Sequence, residues 1–512
     1  MKQIEFTPDL PLALGCEVRE LTDGVAGIGT LLLAPFIGVG KKLVTKTFAS
    51  TAMVLTSWLL PIISASVAEA QEPSGLAAAI ALEKAMVSAI ERCDKSVVAI
   101  ARDRKGLGDR MLDPEFIPTE FATGVVVSRD GLILTTDHAL GDRERNDYVV
   151  WIDGRGHRAT IKATDTTYDL AVLKIEVDSL TPMPMGDAKD LKKGQIVIAL
   201  GNPLAIARDG SASATWGIVS NLHRKAAPRP DAEAGVEQKD TLHHYGTLIQ
   251  TDARLERGTS GGALVNLQGE MVGLTSTVAA LPGSEEAAGF AIPVSDTFRR
   301  VVQQLKLGEK VTYGFLGVAP DDSFFAQRDG VRIVNVVPGT PAAAAGIRVG
   351  DTIMRVGDTP LTNAGDLILS VSQYPAGQTV PVHLVRTGER FPTIREVTLS
   401  KKYIRSARES IATTPPQRWR GMTVDYTTAH PRFVELSLDA DPGGCVVVTD
   451  VVAESPAWKA GLRSGLFISH IAREQIASPE DFYRIAEQKS GNVRLRLASR
   501  LDRLDPIVVA DD

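Results

Sequence analysis

The second half of the chain spells one pattern twice. Asn335-Val336-Val337-Pro338-Gly339-Thr340-Pro341-Ala342 recurs as Asp450-Val451-Val452-Ala453-Glu454-Ser455-Pro456-Ala457, and Ala345-Gly346-Ile347-Arg348 recurs as Ala460-Gly461-Leu462-Arg463. Both recurrences share one offset, 115 residues, the distance from Asn335 to Asp450 and from Ala345 to Ala460. A common offset over separate blocks means one fold present twice. Each copy reads as a strand, a Pro-Ala helix start and a Gly-x-x-x-Gly turn. The copies take residues 312–402 and 419–503, with a linker at 406–418 marked by Pro415-Pro416. Another junction falls at 308–312, after a helical stretch at 295–307. At 512 residues the chain is long enough for three or four domains, so a larger unit at 76–307 precedes the copies. It opens on a stretch, 76–92, that is helical by its alanine content and apolar spacing.

That larger unit carries a serine fenced by glycines, Gly258-Thr259-Ser260-Gly261-Gly262. Glycines let the backbone turn its N–H groups toward a reacting carbonyl and leave no Cβ in a substrate's way, although such runs also make ordinary surface turns. Upstream, Thr123-Gly124-Val125-Val126-Val127-Ser128, an Asp130-Gly131 turn and Leu132-Ile133-Leu134-Thr135-Thr136 read as a β-hairpin that delivers Asp137-His138-Ala139. Tyr168-Asp169-Leu170-Ala171-Val172-Leu173 then sets an aspartate at the mouth of an apolar strand. A serine hydroxyl is a poor nucleophile at neutral pH and needs a base in reach and a carboxylate to fix that base's tautomer. His138, Asp169 and Ser260 supply these parts in that chain order. The same five residues satisfy the Gly-x-Ser-x-Gly elbow of an esterase, but the elbow requires a helix after the serine and the order Ser, Asp, His. Here residues 263–266, a Gln268-Gly269 turn and residues 271–274 read as a second hairpin, and the later histidines, His383, His430 and His470, fall in the repeated units.

These blocks together resemble the HtrA/DegP-type serine proteases of the chymotrypsin-like clan. The resemblance runs from about Val97 to the C-terminus and rests on residues 124–138, 169–174, 194–203 (GQIVIALGNP), 217–220, 250–266 (QTDARLERGTSGGALVN) and 288–293 (AGFAIP). It implies a mainly β chain: a chymotrypsin-like double β-barrel followed by two α+β PDZ domains. It implies an endopeptidase in which His138, Asp169 and Ser260 are catalytic, the backbone N–H groups of Gly258 and Ser260 form the oxyanion hole, and Arg254 and Leu255 lie at the floor of the specificity pocket. No aspartate stands at that floor, so small or medium apolar side chains are expected there rather than Lys or Arg, with an acidic preference left open by Arg254. In the first PDZ copy, Tyr313-Gly314-Phe315-Leu316-Gly317 is the expected nest for a peptide's C-terminal carboxylate, with the helix at 364–374 as the groove's other wall. The corresponding loop of the second copy is Arg420-Gly421-Met422-Thr423, and Leu466 replaces the aspartate found at Asp351; whether that copy binds ligands stays open. The resemblance further implies unfolded or misfolded proteins as substrates in the cell envelope and trimer-based homo-oligomers. A protease-inactive PDZ scaffold or holdase is the alternative. The chain departs from the family in three places: Glu256-Arg257-Gly258-Thr259 replaces an Asn-Pro-Gly-Asn run, Ala263 replaces a common proline, and Asp137 puts a second carboxylate beside the base. The first two predict a less rigid serine loop; the third can shift the base's strength.

Composition fits a globular protein: 44% apolar and 23% charged residues. A net charge of −6 argues against a nucleic-acid partner held on a basic face. No zinc-ligand spacing appears, no cofactor is expected, and His243-His244, at the end of the polar stretch 223–241, reads as part of a solvated loop. Lys41, Lys42 and Lys46 precede an apolar run at 48–67 that ends in Ala68-Glu69-Ala70, a small-x-small pattern. Residues 1–46 are therefore read as a leader region and 47–70 as a signal peptide or membrane anchor, which places the rest of the chain outside the cytoplasm, periplasmic or in the cell envelope. Cys93 and Cys445 lie too far apart in sequence to suggest a disulfide scaffold.

Overall fold

The computed structural model describes residues 75–511 apart from 114, 119, 204–210, 227–228, 232–235, 239–240, 277–288, 322–329, 390, 405–407, 431–443 and 499–505. Residues 1–46 and 47–70, expected to be a leader and a signal peptide or anchor, lie outside the described residues, and among those described no helix is long and apolar enough to cross a membrane.

The chain enters on α1 (Gly75–Cys93). Six strands follow, β1 (Val97–Arg104), β2 (Glu120–Val126), β3 (Leu132–Thr136), β4 (Asn146–Ile152), β5 (Arg155–Asp165) and β6 (Leu170–Ile175), and they close in the order β1-β2-β3-β6-β5-β4. Every residue of β3 is buried, as is every residue of β6 except Lys174, which is why neither strand shows the polar–apolar alternation of a half-solvated strand. The second barrel is built from β7 (Ile196–Gly201), β8 (Ser213–Arg224), β11 (Leu248–Thr251), β12 (Ala263–Val265), β13 (Met271–Ser276) and β14 (Gly289–Pro293), closing in the order β11-β14-β13-β12-β7-β8. A small hairpin, β9 (Arg229–Asp231) with β10 (Val236–Gln238), branches between β8 and β11. The two hairpins expected around the histidine and after the serine form as β2/β3 and β12/β13.

Helix α2 (Asp296–Leu307) ends the barrel unit. Ser295 caps its start by accepting from Phe298 N, Gly308 ends it at φ 77°, and Phe298, Val301, Val302 and Leu305 make the buried stripe at the i, i+3, i+4, i+7 spacing of one helix face. That stripe joins α1 and both barrels in one apolar cluster that also takes in Tyr313.

The two repeats form two sheets of identical strand order. The first is β16 (Val318–Pro320), β17 (Val331–Val336), β18 (Thr352–Val356), β20 (Thr379–Val385) and β21 (Thr393–Thr398), with β19 (Thr359–Pro360) on β18, and β15 (Gly314–Phe315) pairs separately with β22 (Ser400–Lys401). The second is β23 (Met422–Tyr426), β24 (Val446–Val451), β25 (Phe467–Ile471), β27 (Val493–Leu497) and β28 (Ile507–Val509), with β26 (Glu474–Gln475) on β25. Short helices repeat at the same offset: α3 (Pro341–Ala344) against α5 (Pro456–Lys459), and α4 (Ala364–Ser372), capped by Asn363, against α6 (Pro479–Ala486), capped by Ser478. The architecture is thus mainly β, a double barrel followed by two PDZ-type α+β units.

Candidate active site

The first barrel builds the acid–base pair by itself. β3 and β6 are neighbours, with Thr136 opposite Leu170, so the residues just beyond those ends meet. Asp169 holds φ 53°, a left-handed value that aspartate tolerates better than most residues. In that pose its carbonyl accepts from Asp137 N at 3.1 Å. Its Oδ1 accepts from His138 N at 2.9 Å, and its Oδ2 lies 2.7 Å from His138 Nδ1. Burial pushes the Asp169 carboxyl up, but the charge and the two hydrogen bonds of His138 outweigh it and hold the group below the ordinary value. An ionised carboxylate can only accept, so Nδ1 carries the ring proton and Nε2 keeps a lone pair. That lone pair faces Ser260 Oγ, 3.3 Å away.

Ser260 arrives from the second barrel, on the loop before β12, and β2 staples this loop across the barrel boundary. Thr123 N donates to Ser260 O at 2.9 Å, Thr123 Oγ1 donates to Gly258 O at 2.7 Å, and Asn202 N donates to Thr123 Oγ1 at 2.8 Å. Thr259 N and Gly262 N close turns onto Glu256 O and Thr259 O, and Gly261 N donates to Thr275 O. Gly258 and Gly261 hold φ of 96° and 86°, a region that side chains disfavour. A Cβ at Gly261 would come within 2.1 Å of Thr123 O, and one at Gly258 within 2.5 Å of Phe121 Cδ2. The loop is therefore pinned by Thr123 from across the barrel boundary and by Thr259 and Thr275 from its own barrel.

Other expected residues stand differently. Arg254 is 80% exposed and pairs with Glu256 at 3.0 Å, so its guanidinium does not floor a pocket. Leu255 is half-buried, on the apolar cluster of Ile249, Ala253 and Ala291. His243 and His244 are buried, not solvated. The His243 ring meets Tyr168 edge-on at 5.1 Å, with Nε2 3.0 Å from Tyr168 O and Nδ1 2.6 Å from Thr247 Oγ1. Burial holds its pKa down, leaving a neutral ring behind Asp169.

Between β16 and α4 lies a cavity of about 210 Å³, lined by Gly314, Phe315, Leu316, Gly317, Leu367 and Ile368 among others. Tyr313, expected to belong to the nest, turns the other way: it is buried and its hydroxyl donates to Asp165 at the end of β5. Burial pushes that carboxyl up to about 6, against the Tyr313 and Tyr168 hydrogen bonds. Lys402 also lines the cavity, and desolvation holds its ammonium below the usual pKa. In the second copy, Tyr483 on α6 stands where Ile368 stands on α4, 115 residues earlier. Its hydroxyl accepts from Val424 N of the edge strand β23 at 3.1 Å and donates to Gln417 O at 2.8 Å. The side wall and the edge strand of that groove are bonded to each other.

Two six-stranded barrels with a serine, histidine and aspartate at their seam, followed by PDZ-type sheets, define a serine endopeptidase of the chymotrypsin clan. The model of the trypsin-like peptidase domain matches residues 122–274, and that of the PDZ domain matches 314–392. A protein called a probable periplasmic serine endoprotease DegP-like, from Pseudomonas putida strain GB-1, is 30% identical over 408 residues, covering 77% of this chain and 79% of its own. One of the same name from Marinomonas sp. strain MWYL1 is 32% identical over 377 residues, covering 72% and 74%. A crystal structure of the serine endoprotease from Yersinia pestis is 28% identical, covers 62% of this chain and 97% of its own, and superposes with a TM-score of 0.42. The chain belongs to the HtrA/DegP-type family of serine endoproteases.

Proposed function

We propose that the protein cleaves unfolded or misfolded polypeptides in the periplasm or cell envelope, using His138, Asp169 and Ser260 as its catalytic triad and the first PDZ unit to recruit substrate termini. The observation that carries this reading is the chain of contacts Asp169 to His138 Nδ1 and His138 Nε2 to Ser260 Oγ, at 2.7 and 3.3 Å. In the first step Ser260 Oγ adds to the scissile carbonyl carbon while Nε2 takes its proton. The C–N bond then breaks as Nε2 returns that proton to the leaving amine. Water repeats both steps on the acyl ester and frees Ser260. Backbone N–H groups of Gly258 and Ser260 hold the oxyanion. With Arg254 turned outward and Leu255 half-buried, small or medium apolar side chains are the preferred residues before the cut. Relatives called periplasmic serine endoproteases support a periplasmic location, and trimer-based assembly follows from the family resemblance alone.

The test is digestion of casein by the 71–512 protein, with the fragments sequenced. Cuts after small apolar residues are expected, and a majority after Lys or Arg would overturn the specificity. Covalent labelling by a fluorophosphonate separates this reading from an idle-triad scaffold, which would not react.

Peptide capture is tested on the full chain carrying Ser260→Ala, so that nothing is cleaved. A peptide with an apolar C-terminal residue and a terminal carboxylate should bind at one site per chain, in the groove between β16 and α4, and its amide should bind at least tenfold more weakly, because charge-assisted hydrogen bonds to backbone N–H groups and the attraction of Lys402 are lost. The second groove should be silent because Tyr483 already occupies the edge N–H that an added strand would need. Adding Tyr483→Ala should free that N–H and raise the stoichiometry above one; two sites per chain with Tyr483 in place, a stoichiometry still at one in Tyr483→Ala, or equal binding of acid and amide would refute this assignment.

A further inference from the structure

Asp137, the second carboxylate beside the base, has no part in the chemistry above, yet it is 1% exposed. Its neighbours explain how a charge is kept there. Arg143 Nη1 lies 3.1 Å from Asp137 Oδ1, and Arg408 Nη2 lies 3.6 Å from Oδ2. Arg143 follows the histidine's own turn. Arg408 belongs to the segment that joins the two PDZ-type sheets, far along the chain. Burial pushes the Asp137 carboxyl above its ordinary value; Arg143 and then Arg408 pull it down, Asp169 adds to the rise, and His138 opposes it.

The joining segment is fastened to the first barrel along several residues. Thr164 N donates to Ile411 O at 2.8 Å, and Ile411 N donates to Thr164 Oγ1 at 2.9 Å. Ala163 and Ala412 form an antiparallel bridge beside β5. Ser410 Oγ accepts from Thr166 N at 3.2 Å, and Thr413 Oγ1 donates to Lys162 O at 2.9 Å. Arg143 joins both sides, reaching Asp137, Thr164 Oγ1 and Glu409 O. Residues 408–414 are therefore a strap on the barrel that supplies a cation to the residue preceding His138.

We propose that Arg408 is a positioning residue for His138: acting through Asp137, it ties the turn that carries the histidine to the strap between the PDZ-type sheets. The proposal rests on His138 being the base. Asp137 opens the turn His138–Leu140, and its main-chain N–H bonds Asp169 O, so a disturbed Asp137 tilts both members of the pair. The groups facing it are Arg143 from the following turn, Arg408 from the strap, His138 and Asp169 from the pair itself, and Asp165 and Tyr148 from β5 and β4. Removing one cation from a buried carboxylate leaves its charge poorly compensated, and the group takes up a proton at higher pH. Activity that needs the ionised Asp137 then fails earlier on the acid side.

The experiment compares the full chain with Arg408→Ala and Arg408→Lys. The readouts are kcat and KM on fluorescein-labelled casein and the rate of fluorophosphonate labelling of Ser260 across pH. Arg408→Ala should lose roughly three- to tenfold in kcat with KM within about twofold, and the acid limb of both profiles should move up by about half to one pH unit. Arg408→Lys keeps the charge and should restore most of both. If the alanine variant does not fold, Arg408→Gln takes its place in the same comparison. Unchanged kcat and acid limb, or a lowered melting temperature with both unchanged, would overturn the proposal and leave Arg408 a packing residue. A wild type that does not label would sink the triad reading and this proposal with it, whereas a labelled wild type with an unmoved Arg408→Ala profile sinks this proposal alone.

Discussion

Ser260→Ala and His138→Ala should each remove nearly all proteolysis, roughly 10⁶-fold in kcat, and the double variant should be little worse than either single one. The expectation follows from how the parts depend on one another. Nε2 can accept a proton only because Asp169 fixes the proton on Nδ1, and that capacity is useful only with Ser260 Oγ beside it at 3.3 Å. Without the hydroxyl no acyl-enzyme forms, so the base has nothing to activate; without the ring the hydroxyl keeps its proton. Both residues lie on elements held by other bonds, the serine loop by Thr123, Thr259 and Thr275 and the histidine turn by Asp137 N to Asp169 O. Neither truncation should therefore unfold the protein. Casein cleavage by each variant, with melting temperature as the folding control, measures this. Activity in Ser260→Ala within a hundredfold of wild type, or losses that multiply in the double variant, would show that Ser260 and His138 do not work as one unit.

Elements whose partners are near in sequence were legible from the chain. The hairpin β2/β3 follows from two apolar runs around Asp130-Gly131, α2 from its apolar spacing and its Ser295 cap, and the twin sheets from a repeat at one offset. The order His138, Asp169, Ser260 pointed to the candidate site, whose three side chains the fold brings together, because the chemistry demands those types whatever the loop lengths. What escaped depended on contacts between distant segments. Tyr313 reads as the first residue of a binding loop, but the buried Asp165, 148 residues away, offers an acceptor that its hydroxyl needs once the ring is inside. His243 follows a polar stretch and looks solvated; only the fold brings Tyr168 and Thr247 to both ring nitrogens, which is the condition for burying an imidazole. Arg254 occupies the right position along the chain for a pocket floor, yet Glu256 beside it and open solvent give a guanidinium a better place than a pocket without a counter-charge. The strap is the extreme case. Residues 408–414 are polar apart from Ile411 and Ala412, with Pro415-Pro416 beyond them, the pattern of a linker, and nothing local reveals that Thr164 and Thr166 of the first barrel bond them. A signal was present in Asp137 all the same, since a carboxylate beside a catalytic base needs cations that the local sequence only half supplies.

Asp169→Asn should cost about 10⁴-fold in kcat while leaving the fold and substrate binding in place. The argument turns on which oxygen the amide replaces. Oδ1 accepts from the main-chain N–H of His138 at 2.9 Å, and only the carbonyl oxygen of an asparagine can take over that role. The amide NH₂ is then forced onto the Oδ2 side, 2.7 Å from His138 Nδ1, where it can only donate. Nδ1 must become the acceptor, the ring proton moves to Nε2, and Nε2 now donates toward Ser260 Oγ instead of accepting from it. The ring keeps its place but sits in the wrong tautomer, so general-base catalysis fails without any loss of packing. Three measurements check this together: kcat on casein, fluorophosphonate labelling of Ser260, and binding of a C-terminal peptide acid. The first two should fall together and the third should not change. A variant within tenfold of wild type in both rates would mean that Asp169 does not set the tautomer, and that the neighbouring Asp137 or the ring's own position carries the orientation instead.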